Sequence, residues 1–396
     1  MSTKRDMAGE ADEVAQLCSD LLASLSRSDQ RRRGVDYVRG LLVADGRKTI
    51  RNIAGYVGGH GAEQRLHHFV SGSTWDWRPV RRVLAAHLCA TLAPSAWVLR
   101  PLTIPKSGRR SVGVRHGYHP ALDQTRSAQT AVGLWAAART GCAPANWRLQ
   151  ATEGRPAAPA LRRREPEAAA ETTQECAIRC FRELAPELRG RPVVLDMPVD
   201  EPAEAVAQLA GTGFPMLVRV AGDAALVSAG ARPAGRGAAP RPARSLLREA
   251  GHRRAPVRCP DTGGRKIVAT VPVLLPSPQG PSRLLLVGAG NAGSRWPSRL
   301  WLTNLASARP ADLAELTTLP ERVGHYAGAV AEHVGIADFT GRSFAGWHRH
   351  MTLASIAHAV QLGRRAGDRA DDRAGDRADD HGPLGLSGRQ VGGDVA

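Results

Sequence analysis

Between Val193 and Val220 the chain reads strand, helix, strand: PVVLD, then EPAEAVAQLAG with apolar residues at helical spacing, then FPMLVRV. Two short apolar strands joined by a helix bury both faces only in a parallel sheet, because the crossover helix has to lie back on that sheet. This unit fixes a mixed α/β architecture for the middle of the chain. Upstream, AWVLRPLTI, SVGVRHGY and QTAVGLWAA alternate with period two and read as a meander of strands. The first two flank a Lys106-Ser107-Gly108-Arg109-Arg110 turn. NWRLQ adds an extended piece, and ETTQECAIRCFRELAPEL reads as a helix.

Ahead of Ala96 the period is helical. EVAQLCSDLLASLS, QRRRGVDYVRGLLV, TIRNIAGYVG, EQRLHHFVSG and PVRRVLAAHLCATL follow one another. Ser28-Asp29 offers an N-cap to the second, and Pro79 is tolerated in the first turn of the last. Cations crowd this part: Arg31, Arg32, Arg33, Arg39, Arg47, Lys48, Arg51, Arg65, Arg81 and Arg82. The alternative to DNA contact, possibly in a helix-turn-helix-like arrangement, is a solvated basic face on an ordinary bundle. The whole chain of 396 residues carries 54 Lys and Arg against 37 Asp and Glu, a net +17. That excess favours a polyanionic partner, nucleic acid before membrane. A GC-rich genome also enriches Arg, Ala, Gly and Pro, so charge does not decide the matter alone.

No uncharged apolar run approaches the roughly 18 residues of a membrane span, and no leader is evident, so the expected location is the cytoplasm, on the nucleoid. Six cysteines (Cys18, Cys89, Cys142, Cys176, Cys180, Cys259) form no C-x-x-C pair and read as free thiols. Residues 222–300 are rich in Gly, Pro and Arg, lack a helical pattern, and hold the strands RKIVATVPVLL and SRLLLVGAG. Positions 232–244 read as a mobile basic loop. Gly288, Gly290 and Gly293 have G-x-G-x-x-G spacing after a strand, but Pro297 and a further strand follow instead of the helix a dinucleotide site needs. No nucleotide cofactor is expected. After His358 the chain runs into RAGDRADDRAGDRADD, which has no apolar content to bury and reads as disordered, with a salt-bridged single helix as the alternative that the Gly in each repeat disfavours.

GRSFAGWHRHMTL, from Gly341 to Leu353, carries the most specific signal. It resembles the closing motif of the DDE transposases of insertion elements, in the IS701-like branch of the IS4 group. RSDQRRRGVDYVRGLL, QRLHHFVSGSTWDW and PVRRVLAAHL look like the N-terminal region of the same family. The resemblance spans about residues 25–360 and implies an RNase H-like core with an N-terminal all-α DNA-binding domain and a β-rich insertion. The organisation expected from it is an N-terminal segment 1–27, a helical DNA-binding domain 28–95, core residues 96–221, an insertion 222–304, C-terminal core helices 305–362 and a charged tail 363–396.

DDE chemistry uses three carboxylates to hold two divalent ions, and Mg²⁺ demands hard oxygen ligands. Aligned on the family pattern, the first acid falls on Arg100, with Pro101 after it. The second is Asp196, and the third falls on Gly324, with Ala331 at the family's lysine. Glu321, one turn before Gly324, is the nearest stand-in. His348 and His350 lie two apart, a poor spacing for joint metal binding on a helix. The resemblance places Trp347, His348 and Arg349 in packing or phosphate contact, with Lys106 and above all Arg342 as further DNA contacts. The expected protein is therefore a transposase-derived DNA-binding protein that cuts nothing, a domesticated regulator needing no cofactor. Double-stranded DNA is its partner, and a second copy of the chain is a candidate one. The alternative is an active transposase using Mg²⁺; a third is a decayed remnant or a scaffold for another protein.

Overall fold

Helices open the chain in the computed structural model, which describes residues 14–150, 171–188, 190–229, 239–251, 254–258, 264–276, 280–291, 297 and 299–379. They are α1 (14–21), α2 (Ser28–Val43), α3 (Ile50–Val57), α4 (Ala62–His67), which runs into a π turn at His68–Gly72, and α5 (Trp77–Thr91). The cap expected from Ser28-Asp29 is not made, because α2 already begins at Ser28 and follows Arg27 with no side-chain capping bond. Two of these starts, α3 and α5, carry one. Thr49 accepts from the Asn52 amide ahead of α3, and Asp76 accepts from the Arg78 amide ahead of α5, each satisfying an amide the first turn leaves unpaired. Gly58, Gly59 and Gly61 all take positive φ between α3 and α4, a turn that side chains with a Cβ would strain.

The strands are β1 (Ala96–Pro105), β2 (Val114–His119), β3 (Gln124–Ala137), β4 (Cys142–Leu149), β5 (Val193–Leu195), β6 (Met216–Val220), β7 (Ala225–Ser228), β8 (Arg241–Pro242), β9 (Arg254–Arg258), β10 (Arg265–Leu275), β11 (Ser282–Asn291) and β12 (Arg299–Thr303). They form one mixed sheet in the order β2-β3-β1-β5-β6-β12-β11-β10-β7-β8, with β4 also on β3 and β9 also on β10. β3 is antiparallel to β1, whereas β1, β5 and β6 run parallel. Helices α6 (Thr173–Arg182) and α7 (Pro202–Ala210) make the crossovers. This arrangement is compatible with an RNase H-like core. The alternation that predicted it is local and hydrophobic, which is why it reads through.

Two sequence expectations change. The region 222–304 is not purely strands: α8 (Ala243–Glu249) lies within it, with Ala243, Leu246 and Leu247 buried. Nor does this region form a layer of its own, because β12 pairs antiparallel with β6 and carries the sheet onward. Most of the expected basic loop, residues 230–238, lies outside the described residues. The tail also differs. After α9 (Pro310–Leu316) and α10 (Leu319–His333), α11 runs from Phe344 to Asp379 and so includes part of the charged repeat. Once the buried half of α11 is formed, each added residue needs no new nucleus, and Arg and Asp three apart suit a helix. Residues 380–396 lie outside the described residues.

The core is continuous from the helices through the sheet, and Trp97, Trp135, Trp147, Trp301 and Trp347 are all fully buried. Gly133 makes room for two of these indoles: a Cβ there would lie 2.6 Å from Trp135 Nε1 and 2.7 Å from Trp147 Cζ3. Gly133→Ala is expected to destabilise the protein by about 2 kcal/mol through overpacking, read as a lower urea midpoint at unchanged m-value. Among the described residues no helix is long and apolar enough to cross a membrane, and the five described cysteines are buried free thiols.

Candidate functional site

β1 and β5 are parallel, with Leu99 opposite Leu195, so the next residues, Arg100 within β1 and Asp196 just past the end of β5, stand side by side at one level. The Asp196 amide donates to Leu99 O at 2.9 Å. α10 crosses above them and brings Gly324 so close that a Cβ there would lie 3.2 Å from Arg100 Nη2. The three positions matched to the family's acids thus converge in space.

What converges there is not three carboxylates. Arg100 Nη1 forms an ion pair with Asp196 Oδ2 and donates to Pro320 O at 3.2 Å. Arg219, from β6, reaches Asp196 Oδ1 at 3.3 Å. The Asp196 side chain is only 1% exposed. Burial pushes its carboxyl above the ordinary range, against the pull of Arg100, Arg219 and Arg299. Glu321, the possible stand-in acid, is half exposed and sits 3.6 Å from Arg299 Nη1. A divalent pair needs several hard oxygen ligands in one place. This donor set offers one buried carboxylate with both oxygens already held by guanidinium groups, so the residues present do not fit such ions. Among the described residues no group of three or more His, Cys, Asp or Glu could hold a metal.

The residues expected at DNA separate into two sets. Arg32, Arg39, Arg47, Arg51, Arg65, Arg82 and Arg342 are exposed, and Arg31 and Arg33 are half-buried. Several are engaged at home: Arg82 pairs with Glu187 at 3.3 Å, Arg47 with Asp338 at 3.5 Å, and Arg33 with Asp29 at 3.7 Å. Arg31 donates to Leu25 O. The second set is buried, and this corrects the expectation. Lys48, Arg81, Lys106, Trp347, His348 and Arg349 all lie inside the protein. Lys48 donates to Ala44 O. Lys106 donates to Ala337 O at 2.9 Å and Phe339 O at 2.8 Å, and burial pushes its ammonium down to about 8.

Arg81 explains much of the GWHRH motif. Its guanidinium donates to Thr352 Oγ1 at 2.7 Å, Asn146 Oδ1 at 2.7 Å, Trp147 O at 2.6 Å and His348 O at 2.9 Å. One planar fork therefore ties α5, β4 and α11 together. Burial lowers it to about 10, still charged at neutral pH. His348 stacks on Trp77 with ring centres 4.7 Å apart. Arg349 donates to Trp75 O at 3.0 Å and Val70 O at 3.1 Å. His350 contacts Tyr37 Oη at 2.9 Å and Gly335 O at 2.8 Å. The motif is a clamp that fastens the N-terminal helices to the sheet.

The glycine spacing in β11 has a plain structural setting. Gly288 and Gly290 lie within β11, opposite Ala269 and Ile267 of β10, with no helix start beside them among the described residues; Gly293 lies outside the described residues. Sequence reasoning missed Arg219 and Arg299. The one available signal was a cation inside each of the apolar strands FPMLVRV and SRLWLTNL.

A mixed sheet with parallel β1, β5 and β6 flanked by helices is compatible with the fold of the DDE nuclease class. The chain belongs to the DDE superfamily endonuclease family, whose model matches residues 20–271. A search of the curated proteins returns no match.

Proposed function

We propose that this chain is a DNA-binding protein derived from an IS701-like transposase, that it does not cleave strands, and that it acts as a regulator. One observation carries this reading: Arg100, which the resemblance aligns with the first acid, forms an ion pair with the buried carboxylate of Asp196, the one acid the alignment keeps. A guanidinium there repels divalent ions at the point where the reaction would need them. Membership of the DDE endonuclease family implies interaction with DNA, and the exposed arginines of α2, α3 and α4 with Arg342 supply candidate phosphate contacts. Assembly as a homodimer and residence on the nucleoid belong to the same reading.

The test uses the full chain, supercoiled plasmid, and Mg²⁺ or Mn²⁺. Nicking is expected to stay at the level of an Asp196→Ala variant. Nicking that requires Asp196 would instead establish the active transposase. A pull-down of fragmented genomic DNA at near-physiological salt tests the binding half. Sharp sites support a regulator, and diffuse recovery that vanishes with salt counts against it.

A further inference from the structure

We propose that the arginine-filled acid position is a phosphate-binding site, a change of ligand sign at the place where the family binds cations; the inference rests on the reading that this position no longer takes metal. Arg100, Arg219 and Arg299 come from β1, β6 and β12 and gather around one carboxylate, Asp196. Three guanidinium groups face one buried acid and one half-exposed acid, Glu321. The cluster therefore keeps net positive charge when every ion pair in it is formed.

The arginines are also reachable. Their side chains are 34%, 31% and 28% exposed, respectively, while Asp196 is sealed beneath them. Asp196 acts as the anchor: one oxygen holds Arg100 and the other holds Arg219, leaving the remaining N–H groups of each fork to point elsewhere. Arg299 Nη1 is buried and has no hydrogen-bond partner among the described residues, its nearest acid being Glu321 at 3.6 Å. Gly324 adds room. A Cβ at that point of α10 would lie 3.2 Å from Arg100 Nη2, so the glycine keeps that space beside the guanidinium free of a side chain. A tetrahedral dianion or a phosphodiester matches such converging planar forks. Two sources share that chemistry, the nucleic-acid backbone and a free phosphate.

The experiment uses the full chain with two probes, a labelled duplex of about 30 base pairs and inorganic pyrophosphate. Variants are Arg219→Gln with Arg299→Gln, Gly324→Glu, and a control pair of exposed arginines away from the cluster, Arg191→Gln with Arg248→Gln. For the duplex, the cluster pair is expected to weaken binding about tenfold near 0.15 M salt and to reduce the salt slope by about two, and the control pair to do so by much less. Gly324→Glu keeps every arginine but puts a carboxylate against Arg100, so it should lose binding with an unchanged melting curve. That combination separates a lost site from a lost fold. If the duplex is indifferent but pyrophosphate raises the melting temperature of the parent and not of the cluster variants, the site stands with free phosphate as its ligand. This holds even if the chain binds no DNA, in which case the proposed function falls and the site does not. If cluster and control variants behave alike toward both probes, the inference is overturned.

Discussion

Arg81→Ala is expected to lower the free energy of unfolding by about 4 kcal/mol, because four buried acceptors each lose one donor at about 1–3 kcal/mol, with His348 O and Asn146 Oδ1 keeping a second donor in Thr352 Oγ1 and the Trp147 amide. The acceptors are Asn146 Oδ1, Trp147 O, His348 O and Thr352 Oγ1. For a chain of this size the thermal midpoint should fall by about 5 °C. Arg81→Lys is the more telling variant. It keeps the charge, so an arginine that served DNA would leave the fold intact and bind nearly as well. An ammonium cannot span four acceptors from a planar fork, so we expect it to lose about half as much stability as the alanine. Thermal melts followed by circular dichroism decide the point: a lysine variant melting with the parent would refute the clamp.

Acid is expected to unfold the protein near pH 5. Burial pushes His348 well below its ordinary value, His350 down to about 4 and His358 down to about 3. The cations Arg81 and Lys106 reinforce this at His348 and His350, while Asp338 opposes it at His350. A histidine whose folded value is depressed stays neutral in the fold while the unfolded chain takes up a proton near pH 6.5. Its contribution is intact above that pH and is lost as pH falls toward the folded value. At about 1.4 kcal/mol per pH unit for each residue, the three together remove about 5 kcal/mol between pH 7 and 5. Asp196 works the other way, since its raised carboxyl accepts a proton first in the fold, but it is a single group. Urea midpoints at pH 7.5, 6 and 5 measure the slope. His358→Leu should flatten it by about one third. Neither His358 ring nitrogen has a partner among the described residues, so the same variant should not weaken the protein at neutral pH. A midpoint that holds steady between pH 7 and 5 would count against this account.

The sheet was legible because its signals are short-range: PVVLD, the crossover helix and FPMLVRV announce themselves within thirty residues or so. The grouping of Arg100, Asp196 and Gly324 came from another source, the family resemblance, which aligns all three with positions that share one site. The fate of the GWHRH cations was not legible. Arg81 and Thr352 lie 271 positions apart, and nothing local distinguishes an arginine that will be buried in a clamp from one that will meet phosphate. α8 escaped because its seven residues, Ala243–Glu249, are too few to show a period. The helical reach of α11 through 379 escaped because propagation from its buried half is invisible in a charged repeat.

The seam between β6 and β12 has a consequence for how such a chain can change over time. The strands from β7 to β12 complete the hydrogen bonding of β6 on the side away from β5. Excising them would leave β6 as a bare edge, inviting pairing with other chains. A region that looks in the sequence like an optional addition is therefore bound into the fold as a seal. Substitutions around Arg100 and Asp196 would leave that seal untouched, so the chemistry of that end of the sheet is free to change without dismantling the molecule that carries it.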